Sequence, residues 1–304
     1  MKNMSNFLQR LKTDVLVTFG AVATELERDG FNLSGFLGDW VVEHPDAYQR
    51  LLKAYMDVGC DLLGVTGSQG TRFRLEKWGL QDKVIEINIK ATKIVREVTP
   101  PNGFVVGTCM ASGRMLEPLG DVTPEQLYNA FREEVVGYAE GGADVLWIMT
   151  MFDIQEAMLA VKAAKDFTRL PVIASMSFDF TPKGGRTMMG VDPKTAVEKL
   201  LDAGADVIGH NCGGATPEES THILREMGAL TDKPLVVKPN AGIPESVGGR
   251  QVYPATPERY AKEVPTWIAA GAKIVGGCCG AGLEHTAKIA EAVFNSSYRK
   301  DRLT

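Results

Sequence analysis

The sequence predicts a (β/α)8 TIM barrel, and three observations carry that expectation. A short pattern recurs four times, four further apolar runs are interleaved with it, and no dinucleotide-binding turn follows the first run. The recurring pattern is Gly59-Cys60-Asp61-Leu62-Leu63-Gly64, Gly142-Ala143-Asp144-Val145-Leu146-Trp147, Gly204-Ala205-Asp206-Val207-Ile208-Gly209 and Gly271-Ala272-Lys273-Ile274-Val275-Gly276. Each copy follows a helical stretch, such as residues 196–203 or 260–270. The glycine suits the position just past a helix end, where φ is positive. The apolar run after it is short and continuous, the mark of a strand buried on both faces.

The interleaved runs cover residues 14–18, 103–108, 171–176 and 234–238. Strands that alternate with helices imply a parallel sheet, because parallel strands need crossover connections. Eight such strands close a barrel. The rival, an open doubly wound sheet, would carry G-x-G-x-x-G after its first strand, and that turn is missing. No linker or low-complexity segment divides the chain, so residues 1–304 are expected to form a single barrel. Phe7 and Leu11 predict a short amphipathic lead-in helix.

Composition narrows the function classes. At 304 residues, with 44% hydrophobic and 23% charged residues, the chain can bury a large core without disulfide staples. A net charge of -5 and the lack of a basic run exclude a nucleic-acid footprint, and Arg299, Lys300 and Arg302 read as a solvated tail. No apolar run approaches the roughly 20 residues of a membrane-spanning helix. The N-terminus lacks the apolar stretch and cleavage site of a secretory signal. Five cysteines in such a chain point to the cytoplasm, where thiols stay reduced and more often bind metal or catalyse.

Three of those cysteines fall where barrel chemistry is done, at the C-terminal ends of the strands. The sixth strand runs out into His210-Asn211-Cys212-Gly213-Gly214, and the eighth ends in Gly276-Gly277-Cys278-Cys279-Gly280. Zinc takes thiolates at about 2.3 Å, and a catalytic zinc keeps three protein ligands and one open position. Adjacent cysteines can both ligate if the backbone turns sharply between them, which the flanking glycines permit. A lone buried cysteine is more often a small hydrophobe. That reading suits Cys60, which fills the alanine slot of the repeat, and leaves Cys109 open as a residue bordering the pocket.

With these residues in view, the chain resembles the homocysteine S-methyltransferase family over nearly its whole length. Gly209-His210-Asn211-Cys212 stands for the family's G-x-N-C, Pro239-Asn240-Ala241-Gly242 for P-N-A-G, and Gly276 to Gly280 for G-G-C-C-G. Gly79-Leu80-Gln81-Asp82 and Pro118-Leu119-Gly120 match weaker signatures. The resemblance implies that Cys212, Cys278 and Cys279 hold zinc and carry the catalysis. It also implies that the sulfur of a methyl-accepting thiol takes the fourth position. Coordination deprotonates a thiol whose free pKa is near 8.5, and the thiolate attacks a methyl group in line.

Two departures bear on the substrate. The family holds the homocysteine ammonium with an Asp after the first strand and a Glu after the fourth. Here those motifs read Phe19-Gly20-Ala21 and Met149-Thr150-Met151, so Phe19 and Met149 replace both acids. The third-strand G-D-x-G-P becomes Gly107-Thr108-Cys109-Met110-Ala111, and the T-N-T-F after the second strand becomes Thr66-Gly67-Ser68-Gln69. An ammonium facing Phe and Met would lack partners, at a cost of several kcal/mol. Met110, Met115, Met149, Met151, Met176, Met188 and Met189 lie at or beyond strand ends and agree with a less polar pocket. Phe19, Met149, Thr150, His210, Asn211 and Asn240 are the expected substrate-binding residues. His210 would share a face with Cys212 if the strand stays extended, and Asp153 or Glu25 could stand in for the missing acids.

The expected function is therefore zinc-dependent methyl transfer between a small methylated compound or thiol and a methyl carrier. The barrel is expected to end near Asn295, leaving no room for a cobalamin domain, so a corrinoid (cobalamin) would arrive on a transient partner protein. The alternatives are homocysteine methylation to methionine and a non-catalytic zinc- or ligand-binding barrel. Homo-oligomerisation is left open.

Overall fold

The structure, a computed structural model, describes residues 5–33, 35–65, 70–247 and 250–296. The segment Thr66-Gly67-Ser68-Gln69 and the basic tail at Arg299, Lys300 and Arg302 lie outside the described residues. Eight strands form one parallel sheet: β1 (Leu16–Val17), β2 (Leu62–Val65), β3 (Phe104–Met110), β4 (Val145–Met151), β5 (Val172–Met176), β6 (Val207–Asn211), β7 (Leu235–Lys238) and β8 (Ala272–Val275). β8 pairs with β1 through Leu16 opposite Ile274 and Val17 opposite Val275. The ring closes between β1 and β2, where Phe19 N donates to Leu62 O at 3.0 Å and Asp61 N to Val17 O at 2.7 Å. The chain is a (β/α)8 barrel, as the repeat implied. Every residue of β2, β5, β6 and β7 is buried, which accounts for their unbroken apolar runs.

The repeat has a mechanical meaning at the N-terminal rim. Its four glycines all adopt positive φ: 98° at Gly59, 96° at Gly142, 104° at Gly204 and 102° at Gly271. The acid two residues on reaches back to the preceding strand. Asp61 Oδ2 accepts from Val17 N at 2.8 Å, Asp144 Oδ2 from Val105 N at 2.8 Å, and Asp206 Oδ2 from Val172 N at 2.9 Å. Asp144 also takes Arg96 Nη1 at 2.7 Å, and Asp206 takes Lys165 Nζ at 3.1 Å. In the fourth copy Lys273 stands in place of the acid, and Leu235 N donates to the Gly271 carbonyl at 3.2 Å. The lead-in helix Ser5–Thr13 covers this end, with Phe7 edge-on to Phe104 at 5.2 Å and Leu11 buried.

Two short hairpins interrupt the barrel pattern at the opposite rim. Asp179–Thr181 pairs with Gly184–Arg186 after β5, and Glu245–Val247 pairs with Arg250–Val252 after β7. No helix among the described residues is long and apolar enough to cross a membrane.

The clamp makes a prediction about stability. Asp144→Ala strands the Val105 N–H and frees Arg96, and should cost about 1–3 kcal/mol in urea unfolding. Lys273→Ala removes no clamp and should stay within about 0.5 kcal/mol. Equal effects at the two positions would show that the acid does not pin its neighbour strand.

Candidate metal centre

Cys212 follows directly on β6 and has φ of 59°, in the left-handed region that non-glycine residues rarely enter. Strain of this kind costs on the order of 1 kcal/mol and persists only when the surroundings over-determine it. Here they do. Cys212 N donates to Lys238 O at 3.0 Å, extending the pairing with β7. Gly213, with φ of 77°, lies so close to the hairpin that a Cβ would sit 2.2 Å from Phe178 O. Gly214 N donates to Asp179 Oδ1 at 2.7 Å.

After β8, Cys278 N donates to Pro239 O at 2.7 Å, and Ala281 N closes the turn on Cys278 O at 3.1 Å. Gly280 has φ of 76° and lies under the Tyr253 ring, where a Cβ would meet the ring at 2.1 Å. These two turns bring the sulfurs of Cys212, Cys278 and Cys279 within 4.8 Å of one another. Cys278 is buried, Cys212 half-buried and Cys279 exposed, so the cluster opens on one side.

Two amides hold the arrangement. Asn240 Oδ1 accepts from Cys279 N at 3.1 Å while its Nδ2 donates to Gly213 O at 2.8 Å, tying one cysteine turn to the other. Asn211 Oδ1 accepts from Thr150 N at 2.7 Å and from Ser175 Oγ at 2.6 Å. Its Nδ2 donates to Thr150 Oγ1 at 2.7 Å and approaches Cys278 Sγ at 4.0 Å. Thr150 is the second strained residue, with φ of 57°, and Asn211 grips both its backbone and its hydroxyl. Trp147 Nε1 completes the chain by donating to Ser175 Oγ at 2.8 Å.

The thiols interact as one unit. Hydrogen bonds from Cys212 and Cys279 hold the Cys278 thiol well below its ordinary pKa, against the opposing effect of burial, and the Lys238 charge adds to them. The same bond pushes Cys212 upward. Three sulfurs that share charge and converge within 4.8 Å are a donor set that suits a soft or borderline metal. Around tetrahedral zinc, sulfurs bound at about 2.3 Å stand roughly 3.8 Å apart, inside that limit.

The wall beside the cluster is apolar where the sequence placed Phe19 and Met149. Phe19 is 2% exposed, edge-on to Trp147 at 6.2 Å, and fills the space that Gly64 leaves by lacking a Cβ. Met149, 5% exposed, stands two residues beyond Trp147 on the same strand face. Of the other methionines, Met151 and Met176 are core residues paired in register, whereas Met115, Met188 and Met189 stand exposed on loops.

His210 lies elsewhere. Its Nε2 is 3.2 Å from Ser220 Oγ on the helix Pro217–Gly228, and burial pushes its pKa down to about 4. It occupies the strand–helix layer, on the strand face opposite Asn211. Asp153 caps the helix Ile154–Phe167 by accepting from Gln155 N at 2.8 Å. Glu25 pairs with Arg28 at 3.1 Å and accepts from Leu283 N at 3.4 Å. Cys60 donates to Leu62 O at 3.0 Å in the core. Cys109 is buried beside Glu134, whose carboxyl burial raises to about 8. Residues that sequence reasoning missed are Lys238, Ser175, Trp147 and Tyr253. A lysine closing the apolar run Leu235–Lys238 was the one visible signal.

A sequence model described as homocysteine S-methyltransferase matches residues 16–293. This chain belongs to the homocysteine S-methyltransferase family. The methionine synthases of Mycobacterium tuberculosis and Mycobacterium leprae are each 28% identical to it, over 96% and 95% of this chain. The chain spans about a quarter of the length of these relatives, 26% and 25%. The metallated form of the homocysteine methyltransferase MmuM from Escherichia coli superposes with a TM-score of 0.76 at 24% identity, covering 95% of this chain and 99% of that one. A methyltransferase from Methanosarcina mazei superposes with a TM-score of 0.61 at 11% identity, covering 96% and 98%. These likenesses bear on the fold of the family member described here.

The Asn211–Thr150 bond yields a double-mutant prediction. Asn211→Ala leaves the strained Thr150 unsupported and should cost about 3 kcal/mol in urea unfolding. Thr150→Gly relieves the strain, since glycine enters positive φ freely, and should recover roughly 1 kcal/mol in the Asn211→Ala background. If Thr150→Gly has the same effect with and without Asn211, the amide is not what holds that conformation.

Proposed function

We propose that this family member is a zinc-dependent methyltransferase acting on a small substrate other than homocysteine. In this reading Cys212, Cys278 and Cys279 are the zinc ligands, and a methyl group passes between the substrate and a corrinoid carrier supplied by a partner protein. When bound, zinc supplies Lewis acidity and the thiolate form of a coordinated thiol. The rest is the work of the chain's own residues. Asn240 fixes the spacing of the two cysteine turns, and Asn211 holds Thr150 and Cys278 in one rigid group. Phe19 and Met149 line the substrate space and exclude water, with Thr150 contributing a hydroxyl at its edge.

The observation that carries the substrate reading is the loss of both acids in favour of buried Phe19 and Met149. The two acids that could replace them are committed, Asp153 to a helix cap and Glu25 to Arg28. A free ammonium brought into this wall would meet no carboxylate among the residues named. The carrier reading is supported by the rim. Met115, Leu119, Met188, Met189, Ile243 and Val252 stand exposed in the segments that follow β3, β5 and β7, the side of a barrel on which active-site loops lie. Isolated exposed apolar residues are ordinary, but six of them in the segments following three strand ends suit a transient protein partner. A second reading, favoured by the names of the relatives, keeps homocysteine as the methyl acceptor.

Metal analysis tests the ligand set. The purified chain should hold one zinc, and the pair Cys278→Ala/Cys279→Ala should lose it while keeping the barrel's circular dichroism. Stoichiometric zinc in that variant would remove the assignment. Homocysteine calorimetry tests the substrate. The unmodified protein should bind homocysteine weakly, and Phe19→Asp/Met149→Glu should bind it about tenfold more tightly, because each new acid supplies a charge-assisted hydrogen bond. A Phe19→Ala/Met149→Ala control separates that gain from the space created beside Gly64. Tight homocysteine binding by the unmodified chain would promote the second reading.

A further inference from the structure

Lys238 ends β7 with its side chain inside the barrel. It is 1% exposed and stands opposite Asn211 in the parallel register, so the two side chains share the inward face. Its Nζ lies 4.8 Å from the centroid of the Phe19 ring. Its positive charge reaches Cys278, adding to the Cys212 and Cys279 hydrogen bonds that hold that thiol below its ordinary pKa. Among the described residues no carboxylate lies within salt-bridge distance of this ammonium, and no side chain or carbonyl accepts a hydrogen bond from it.

A desolvated ammonium costs several kcal/mol unless paired, and a ring face returns only about 0.5–2 kcal/mol. Lysine is otherwise almost never fully buried without a partner. The buried charge in this wall is thus a cation, in a pocket whose expected acids are Phe19 and Met149. We propose that Lys238 determines specificity by receiving the carboxylate of a small anionic substrate, whose sulfur or methyl-bearing heteroatom faces the cysteines. This rests on the reading of the site as a zinc methyltransferase. The ammonium donates up to three hydrogen bonds, so the carboxylate both neutralises it and is oriented by it. The rival role is to offset the net negative charge of three thiolates around a divalent metal. That role would make Lys238 indifferent to the charge of the ligand.

Calorimetry on the zinc-loaded chain separates the two with three thiols of similar length: 3-mercaptopropionate, 2-mercaptoethanol and cysteamine. We expect 3-mercaptopropionate to bind at least about tenfold more tightly than cysteamine, the gain of one charge-assisted pair. Lys238→Met should weaken 3-mercaptopropionate by about tenfold or more, leave 2-mercaptoethanol within about twofold, and keep its zinc; Lys238→Arg should retain the preference for the acid. The ranking in the unmodified protein needs no variant to fold. Equal binding of the three thiols, no binding by any, or a Lys238→Met variant that weakens all three alike overturns the proposal. Homocysteine, titrated alongside, judges the other reading separately. Tight homocysteine binding with the acid preference intact would sink the non-homocysteine reading and leave the role of Lys238 standing.

Discussion

Three sulfurs from two separate turns can meet within 4.8 Å only if the turns are held to each other more firmly than to solvent. The group that does this is the Asn240 side chain, which accepts from Cys279 N and donates to Gly213 O. A planar amide used at both ends behaves as a spacer of fixed length, whereas either bond alone would leave one turn free to swing. Its own position is secured from behind, where Tyr260 Oη donates to Pro239 O at 2.9 Å and Cys278 N donates to the same carbonyl at 2.7 Å. The surrounding glycines follow from this spacing. Gly213 passes under Phe178 and Gly280 under Tyr253 at distances no Cβ would tolerate, so the cysteine turns are clamped from outside as well as bridged from within.

The two rims of the barrel divide the labour. At the N-terminal rim each clamp is a satisfied hydrogen bond between neighbouring strands, and the lead-in helix seals the end with Phe7 and Leu11. At the C-terminal rim the backbone departs from relaxed geometry twice, at Thr150 and Cys212, and both departures touch Asn211, one through its side chain and one through the peptide bond. Strain held beside the cysteine cluster and offset by well-bonded structure elsewhere is what a pre-organised site would require. A β-branched threonine at positive φ would relax to the extended region if Asn211 released it.

Much of this was legible in the sequence, and the limits are instructive. The fourfold repeat with its interleaved apolar runs fixes eight strands, and the cysteines at two strand ends are the three whose sulfurs converge. The repeat's aspartates were visible as letters, but their function depends on which strand lies alongside, which only register reveals. His210 was expected beside Cys212 because residues two apart share a face of an extended strand. The strand stops being extended at Cys212, where φ of 59° turns the thiol from the helix side to the barrel mouth and leaves His210 against Ser220. One backbone angle reversed that inference. Lys238 is a related case: at the end of an apolar run a lysine reads as the first solvated residue, whereas here it is buried against Phe19, far away in sequence.

The charges of the wall and of the thiol centre are best considered together. Three thiolates around a divalent metal carry one net negative charge, and unit charges about 4 Å apart interact by roughly 4 kcal/mol at an effective dielectric near 20. A wall bearing two carboxylates would repel such a centre until a ligand's ammonium arrived to balance it, so the resting pocket would be poised for a cation. A wall of Phe19 and Met149 carries no such repulsion, and Lys238 would replace it with attraction. On the reading proposed above, an entering anion would complete the balance on the lysine side, as an entering ammonium would in a wall of acids. Apolar groups at Phe19 and Met149 and a buried Lys238 therefore act in one electrostatic direction, each making the pocket less hospitable to a cation.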